Sequence, residues 1–244
     1  MTWTEIGWVI IGLAVVLLLF FSLLFSQRGR YAVRVNPAVN AFVKQRVRSL
    51  EGGKQSQVAL GDRFWSRAYP ALGLHALSVS ASLEETDLGA QETQVFAAGT
   101  GELALFARQI LCGTYQGGYS SALNLILTGP TPYSFLAGFL GEMGLHSTGS
   151  VGLFGHYGPT GALILEAAQM KGGHPFAAAG SISAQAALFL TTRDLLIGEE
   201  IFLLPGLMDR SPSLQAAWIS EDILRVLLIT LLVVAAGLTL AGVL

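Results

Sequence analysis

The sequence predicts an α/β fold, in which a cytoplasmic α/β domain is flanked by an N-terminal and a C-terminal transmembrane helix. Three observations favour this arrangement. Residues 6–25 form an apolar run without charge or proline, residues 226–244 form a second uncharged run, and the region between them alternates short apolar runs with helical patterns. At about 1.5 Å per helical residue, each run approaches the thickness of the hydrocarbon core of a bilayer. The alternation is typical of an α/β domain.

The charges around the first apolar run predict its orientation. Glu5 is the single charged residue ahead of the run, whereas six basic residues follow it within a short distance. They are Arg28, Arg30, Arg34, Lys44, Arg46 and Arg48. Because Lys and Arg are in excess on the cytoplasmic side of membrane segments, we expect a cytoplasmic central domain in the cell membrane, with both termini outside. The acidic start favours an uncleaved anchor over a secretory signal.

Residues 27–57 are predicted to form a basic juxtamembrane segment. Val43, Val47 and Leu50 recur at helical spacing, which indicates an amphipathic helix that ends at Gly52 and Gly53. The six basic side chains would then rest on anionic lipid headgroups, at about 1 kcal/mol each. Setting the membrane topology is an equally good explanation of the same charges.

The boundaries of the central domain follow from composition. We expect the α/β domain over residues 58–208 and a polar connector over residues 209–225. Periodicity predicts helices over 91–116, 161–171 and within 184–202, and strands over 75–82, 122–128 and 176–179. Each apolar run also has a small-residue face for helix packing, formed by Gly7 and Gly12 in the first run and by Gly237 and Gly242 in the second.

The composition of the whole chain restricts its function. A net charge of −2 provides no overall basic field, so the sequence does not favour nucleic acid as a partner. Charged residues make up 12% of the chain, about half the usual share, which favours extensive buried or self-associating surface. The single cysteine, Cys112, excludes an intramolecular disulfide and is expected to be a small buried hydrophobic residue.

The glycine-rich segments do not predict a cofactor. The segment 149–161 lacks the Lys-Ser/Thr pair of a phosphate-binding P-loop, and the Gly99-Thr100-Gly101 segment lacks the third glycine of a dinucleotide fingerprint. We expect these glycines to form turns or close backbone contacts. The sequence also lacks the Gly-x-Ser-x-Gly and His-Glu-x-x-His motifs, so we predict neither an enzyme, a cofactor nor a metal.

Histidines and acids give a weak indication of a site. His146, His156 and Glu142 are the residues from which a ligand pocket would be built, and a metal site would need His146 and His156 to converge with Glu166.

A structural role is expected for the acids Asp194, Glu199 and Glu200. Because adjacent helical residues point about 100° apart, at least one of Glu199 and Glu200 is expected to be buried, with Arg193 as its nearest partner in sequence.

Four segments carry a resemblance to a known family. They are residues 69–76, the short segment before Gly129 and Pro130, residues 149–155 and residues 194–200. Through them the region 63–208 resembles an uncharacterised prokaryotic membrane family, domain of unknown function 6754. In that family an acid follows the Gly-Phe-Gly stretch, whereas His156 and Tyr157 follow it here, so no role of that acid is transferred. The resemblance implies a membrane-tethered cytoplasmic domain and no particular activity.

The low charge and the small-residue faces favour lateral self-association. The sequence therefore predicts a homo-oligomeric membrane scaffold, such as a ring or lattice of many subunits that organises or shapes the membrane, with lipids as partners. Three alternatives stay open: a ligand-sensing domain with a pocket near residues 149–161, a membrane-bound enzyme in which Glu199 or Glu200 meets a histidine, and an accessory subunit of a complex with a second membrane protein. A scaffold should carry few charges on its flanks, whereas an enzyme should gather perturbed ionisable groups in one cleft.

Overall fold

The computed structural model describes residues 36–63, 71–86, 94–114, 124–209 and 212–240, together with Trp8, Val16, Leu17 and Phe20. The chain divides into two compact units. One comprises residues 35–209 and is an α/β unit, and the other comprises residues 1–34 and 210–244.

The described residues form five strands and eight helices. The strands are β1 (Gln55–Ala59), β2 (Gln94–Ala98), β3 (Asn124–Leu127), β4 (Thr148–Gly155) and β5 (His174–Ala179). The helices are α1 (Pro37–Glu51), α2 (Ala71–Thr86), α3 (Gly101–Thr114), α4 (Pro132–Leu145), α5 (Gly161–Met170), α6 (Ile182–Thr191), α7 (Glu200–Asp209) and α8 (Pro212–Leu240). All but α8 lie in the α/β unit.

The five strands form one parallel sheet in the order β3-β2-β1-β4-β5. Beyond β5, a short parallel bridge joins Ala177 to Leu195. The Ala177 N–H donates to the Asp194 carbonyl at 3.1 Å, and the Leu196 N–H donates to the Ala177 carbonyl at 2.9 Å. The strand order reverses between β1 and β4, so the sheet is doubly wound with a topological switch point at its centre.

Helices cover both faces of the sheet, so the unit has two apolar cores. Along β1, Val58 and Leu60 point to the core beneath α1, α2, α3 and α7, and Ala59 points to the core beneath α4, α5 and α6. In the first core, the rings of Phe42 and Phe176 stack at 4.6 Å between centroids. Burial on both faces fits the apolar residues with which β1, β2 and β5 end, Val58-Ala59, Phe96-Ala97-Ala98 and Phe176-Ala177-Ala178-Ala179. The α/β class that the sequence predicted is confirmed.

The predicted helix in the basic segment is confirmed, but it belongs to the α/β unit. The Asn36 side chain caps α1 by accepting from the Ala38 N–H at 2.9 Å, and the helix ends at Gly52 as expected. Val39 and Phe42 of α1 lie in the first core. The boundary predicted at residue 58 therefore falls within β1, and the compact unit extends back to residue 35.

Burial corrects the predicted membrane surface of α1. Arg46 is buried and donates to the Leu83 carbonyl at 3.0 Å and to Gln94 Oε1 at 2.7 Å. The prediction that Arg46 rests on lipid headgroups is therefore wrong, because this side of the helix faces other elements of the unit. Lys44 and Arg48 are exposed. The remaining basic residues of that prediction, Arg28, Arg30 and Arg34, lie outside the described residues.

The predicted elements agree with the structure in part. The strands expected over 122–128 and 176–179 and the helix expected over 161–171 are confirmed as β3, β5 and α5. The strand expected over 75–82 is wrong, because this stretch lies in α2 and buries Leu72, Ala76, Val79 and Leu83 at helical spacing.

Two further expectations are wrong in detail. The helix expected over 91–116 begins only at Gly101, because Gln94–Ala98 is the fully buried strand β2. Cys112 is exposed rather than buried.

The predicted membrane segments are described only in part. Apart from four residues, the run 6–25 lies outside the described residues, as do residues 241–244 of the second run, and so do Gly7, Gly12 and Gly242. Gly237 lies within α8, which also includes most of the predicted connector 209–225. In the described part of the chain, no helix combines the length and apolar character needed to cross a membrane. The two membrane anchors stay predictions.

His75 is a buried titratable group in α2. Its ring packs edge-on against Phe202 of α7 at 5.5 Å between centroids, and its Nε2 atom has no hydrogen-bond partner among the described residues. Burial lowers the pKa of His75 from 6.5 to about 4. The folded unit therefore holds a neutral imidazole at neutral pH.

We predict that the unit loses stability as the pH falls from 6.5 towards 4. Over this range the unfolded chain protonates His75 and the folded chain does not, so the free energy of unfolding should drop by about 2 kcal/mol between pH 7.5 and pH 5. Urea unfolding of the full chain in detergent at the two pH values measures this loss. His75→Phe should remove most of it, whereas His146→Gln, at an exposed position, should keep it. An equal loss in His75→Phe would contradict the assignment.

Candidate functional site

The topological switch point places the ends of β1 and β4 side by side. The helix that follows β1 packs on one face of the sheet and the helix that follows β4 packs on the other, and in doubly wound sheets this position outside the carboxyl ends is where ligands bind. Helices α3 to α6 also begin at this edge. Thr131 and Ser181 cap two of them by accepting from backbone N–H groups, at 3.1 Å in each case. The helix N-termini add positive partial charge here.

Asp62 and His156 are paired at the switch point. Asp62 Oδ1 lies 3.0 Å from His156 Nδ1, and Asp62 Oδ2 lies 3.8 Å from Arg63 Nε. The carboxylate can only accept, so we assign the proton of this hydrogen bond to Nδ1, which directs Nε2 away from Asp62. The backbone repeats the contact, because the Asp62 N–H donates to the His156 carbonyl at 3.1 Å and Arg63 bridges His156.

Glycines let the strand ends approach Asp62. A Cβ atom on Gly99, directly after β2, would lie 2.5 Å from the Asp62 carbonyl oxygen. Gly155, at the end of β4, has φ +104° and would place a Cβ atom 2.5 Å from the Leu60 carbonyl oxygen. Any side chain at these two positions would force the ends of β1, β2 and β4 apart.

Tyr157 lies beneath this cluster, inside the second core. Its ring packs edge-on against Phe135 at 5.8 Å, and its hydroxyl has no hydrogen bond of ordinary geometry to the described residues. Burial, and secondly the charge of Asp62, raise the pKa of Tyr157 well above its ordinary value. Hydrogen bonding from the peptide groups of Gly61 and Phe154 lowers this pKa by a smaller amount. The phenol therefore keeps its proton and can act as a donor.

The ligand pocket predicted from His146, His156 and Glu142 is wrong. His146 precedes β4 and His156 follows it, so the length of an eight-residue strand, about 26 Å, separates them. Glu142 lies 3.7 Å from His146 within the same turn of helix, at the amino edge of the sheet. The metal site that joined both histidines to Glu166 is excluded for the same reason. In the part of the chain that the structure describes, no three metal-ligating side chains cluster.

The predicted structural acids have separate surroundings. Asp194 Oδ2 lies 3.0 Å from His174 Nε2, which ties the segment after α6 to the start of β5. Glu199 and Glu200 are both exposed, so the expectation that one of them is buried is wrong. Asn36 Nδ2 donates to Glu200 Oε2 at 3.4 Å, which joins the starts of α1 and α7.

Sequence reasoning missed Asp62, Arg63 and Tyr157. The available signal was their position: Gly-Asp-Arg directly follows one buried strand and Gly-His-Tyr directly follows another. Residues at the carboxyl ends of parallel strands meet at one edge of the sheet. This signal is visible only if Gln55–Ala59 is recognised as a strand. The predicted basic segment 27–57 included the first half of that strand, so the strand was not predicted.

A second feature is an apolar surface on the outside of α5 and α6, here called the α5–α6 surface. It consists of five exposed side chains: Leu163 (49%), Met170 (83%), Ile182 (75%), Phe189 (67%) and Leu190 (86%). The two helices pack side by side, and the Gln169 side chain of α5 donates to the Thr191 carbonyl at the end of α6. At about 200 Å² for a fully exposed large side chain, the five expose about 700 Å².

The α5–α6 surface is nearly free of charge. Glu166 is the single charged residue of α5, and α6 carries none. On an ordinary monomer the largest apolar patch covers about 300–600 Å² and is often functional. The summed area and composition of these side chains make this surface a candidate for contact with a partner.

Comparisons with protein-family models, with curated proteins and with solved structures find no match to this chain.

We predict that Gly99→Ala destabilises the unit by about 2–3 kcal/mol, because its methyl group would overlap the backbone of Asp62. Gly101→Ala is the matched control, since no atom lies within 4 Å of the added carbon and alanine suits a helix. The control should leave stability unchanged or raise it by up to about 1 kcal/mol. Urea unfolding of both variants measures the difference, and equal stabilities would contradict the close contact.

We predict that Tyr157→Phe stabilises the unit by about 1 kcal/mol in ligand-free buffer. The substitution removes a buried hydroxyl whose proton has no acceptor of ordinary geometry among the described residues, and it keeps the ring that packs on Phe135. Tyr133→Phe, on an exposed tyrosine, should change nothing. A clear loss of stability in Tyr157→Phe, measured by the same unfolding experiment, would show that the hydroxyl is bonded within the fold.

Proposed function

We propose that this chain is a homo-oligomeric scaffold held at a membrane by its terminal segments, with copies of the α/β unit in lateral contact. The α5–α6 surface is the observation that carries this proposal. It exposes about 700 Å², close to the roughly 800 Å² that each partner buries in a standard protein interface. Glu166 is its single charged helical residue, and such a low charge is typical of the core of an interface rather than of a free surface.

A second apolar surface favours an open series of contacts over a closed pair. Leu105 and Phe106 of α3 and Leu127 of β3 are exposed large apolar side chains, here called the α3–β3 surface. It lies at the β3 end of the sheet, with α3 on the first core, whereas α5 and α6 cover the second core towards β5. Two different surfaces at opposite ends of a subunit suit heterologous contacts, which form rings when they close and filaments when they do not.

The tethers of the proposed scaffold are its two apolar terminal runs. In the unit formed by the two ends of the chain, α8 exposes six large apolar side chains. They are Val226, Leu227, Leu228, Ile229, Leu232 and Val233. Exposed apolar side chains at this density support burial in lipid or against other helices. The positive-inside pattern of the sequence supports a cytoplasmic α/β unit with both termini outside.

The distribution of perturbed ionisable groups favours a scaffold over an enzyme. Among the described residues, His75 and Tyr157 have shifted pKa values, and they lie on opposite faces of the sheet. An enzyme would gather such groups in one cleft. The alternative of a ligand-binding domain depends on a different part of the unit, the polar residues Asp62, Arg63 and His156 at the switch point.

We predict that the detergent-solubilised full-length chain has a discrete mass of many subunits by light scattering with the detergent contribution subtracted. Phe189→Glu and Leu190→Glu should reduce the mass to one or two subunits, because each places a charge at the centre of the contact. Leu74→Glu, at an exposed leucine of α2 outside both surfaces, should keep the assembly.

Leu105→Glu tests the arrangement of the subunits. If the α3–β3 surface of one subunit contacts the α5–α6 surface of the next, this variant should dissociate the assembly as Phe189→Glu does. Far-ultraviolet circular dichroism of each variant checks that the fold is kept. A wild-type monomer or dimer would overturn the scaffold proposal.

A further inference from the structure

We propose that the carboxyl edge at β1 and β4 binds a small oxyanion, such as the phosphate group of a ligand, through Arg63, His156 and Tyr157. This inference is independent of the scaffold proposal, because the α5–α6 surface lies on the outside of the helices and this site lies at the end of the sheet. It rests on a comparison of the hydrogen-bonding groups at this edge that are bonded within the fold with those that are still free to donate.

Asp62 is already fully engaged by the fold. It is buried, with Oδ1 on His156 Nδ1 at 3.0 Å and Oδ2 facing Arg63 Nε at 3.8 Å. Its carboxylate accepts the hydrogen bond of His156 and faces the Arg63 guanidinium, and its N–H donates to the His156 carbonyl. This carboxylate acts as a positioning residue that fixes the imidazole and the guanidinium.

The remaining capacity at this edge is that of donors. Arg63 has five N–H groups, and its half-exposed side chain meets Asp62 through Nε. His156 directs Nε2 away from Asp62, and this atom donates when the ring is protonated. A set of donors beside a compensated carboxylate selects an acceptor-rich anion and disfavours a metal cation.

Tyr157 supplies the independent observation that points to a ligand. Its hydroxyl is fully buried next to Asp62 and keeps its proton, and the peptide groups of Gly61 and Phe154 approach its oxygen as donors, so the proton itself has no acceptor of ordinary geometry among the described residues. Buried hydroxyl groups normally have a partner, so an unsatisfied one in a core needs an explanation. A bound oxyanion would accept from it.

The helix N-termini and the local space agree with this proposal. Helices α3 and α5 begin on either side of Asp62 and His156, and helix N-termini attract anions. A carbon added to Gly101 at the start of α3 would touch nothing within 4 Å, and one added to Gly158 before α5 would meet only Thr160 Oγ1, at 4.0 Å. The described residues therefore leave the starts of these two helices uncrowded.

The experiment is a titration of the full-length chain in detergent with inorganic phosphate at constant ionic strength, read by isothermal calorimetry and by the thermal unfolding midpoint. We expect saturable binding to the wild type and at least tenfold weaker binding to Arg63→Gln and to Tyr157→Phe. The matched controls are Arg193→Gln, at an exposed side chain after α6, and Tyr133→Phe, at an exposed side chain of α4 at the β3 end of the sheet, and they should bind as the wild type does.

The two variants separate binding from stability. Arg63 is half exposed, so its substitution should not unfold the unit, and Tyr157→Phe should raise the unfolding midpoint without phosphate while weakening the phosphate-dependent rise. Non-saturating stabilisation of all variants alike would show only the general effect of phosphate on protein surfaces and would overturn the site. So would equal affinities of Arg63→Gln and Arg193→Gln. Phe189→Glu should keep wild-type affinity, so failure of this proposal and of the scaffold proposal can be told apart.

Discussion

The hydrogen bond between Asp62 and His156 joins the ends of the two central strands, and the arrangement of the α/β unit depends on it. Residues 94 positions apart are brought to 3.0 Å at the place where the strand order reverses. The Asp62 N–H also donates to the carbonyl of the same histidine. Glycines at positions 99 and 155 allow the ends of β1, β2 and β4 to stay in close contact. Because successive helices then leave on opposite faces, this junction also divides the apolar side chains into two cores.

The same topology accounts for the outer surface of the unit. A parallel sheet must be covered on both faces, so each helix buries one side and leaves the other free for solvent or a partner. Here the free sides of α3 on one face and of α5 and α6 on the other carry exposed large apolar side chains, and they lie towards opposite ends of the strand order. A sheet with two unlike apolar surfaces at its ends has the geometry that repeated head-to-tail contacts require.

Local signals in the sequence were sufficient for part of this fold. The α/β class, the strands β3 and β5, the helix α5 and the end of α1 at Gly52 all follow from runs and breakers within a few residues. Long-range packing decided the rest. Gly149 and Gly152 were expected in turns or close contacts, and they lie in β4, where the side chains of Ser49 and Phe154 occupy the space of a Cβ atom. Arg46 is buried against two acceptors that lie 37 and 48 residues away in sequence, and the Asp62–His156 pair spans 94 residues. No local sequence pattern indicates either contact.

The two edges of the sheet use their polar groups differently. At the amino edge, Ser150 Oγ donates to Ser56 Oγ at 3.0 Å and Arg46 donates to Gln94 Oε1 at 2.7 Å, whereas Gln57 Oε1 and Thr148 Oγ1 have no partner among the described residues. At the carboxyl edge, Arg63 and His156 both face the buried carboxylate of Asp62. His146 and His156 show the consequence, because ten residues of sequence place one on an ion pair at the amino edge and the other at the switch point. A histidine in a parallel sheet is therefore better judged by the end of the strand it follows than by the residues beside it in sequence.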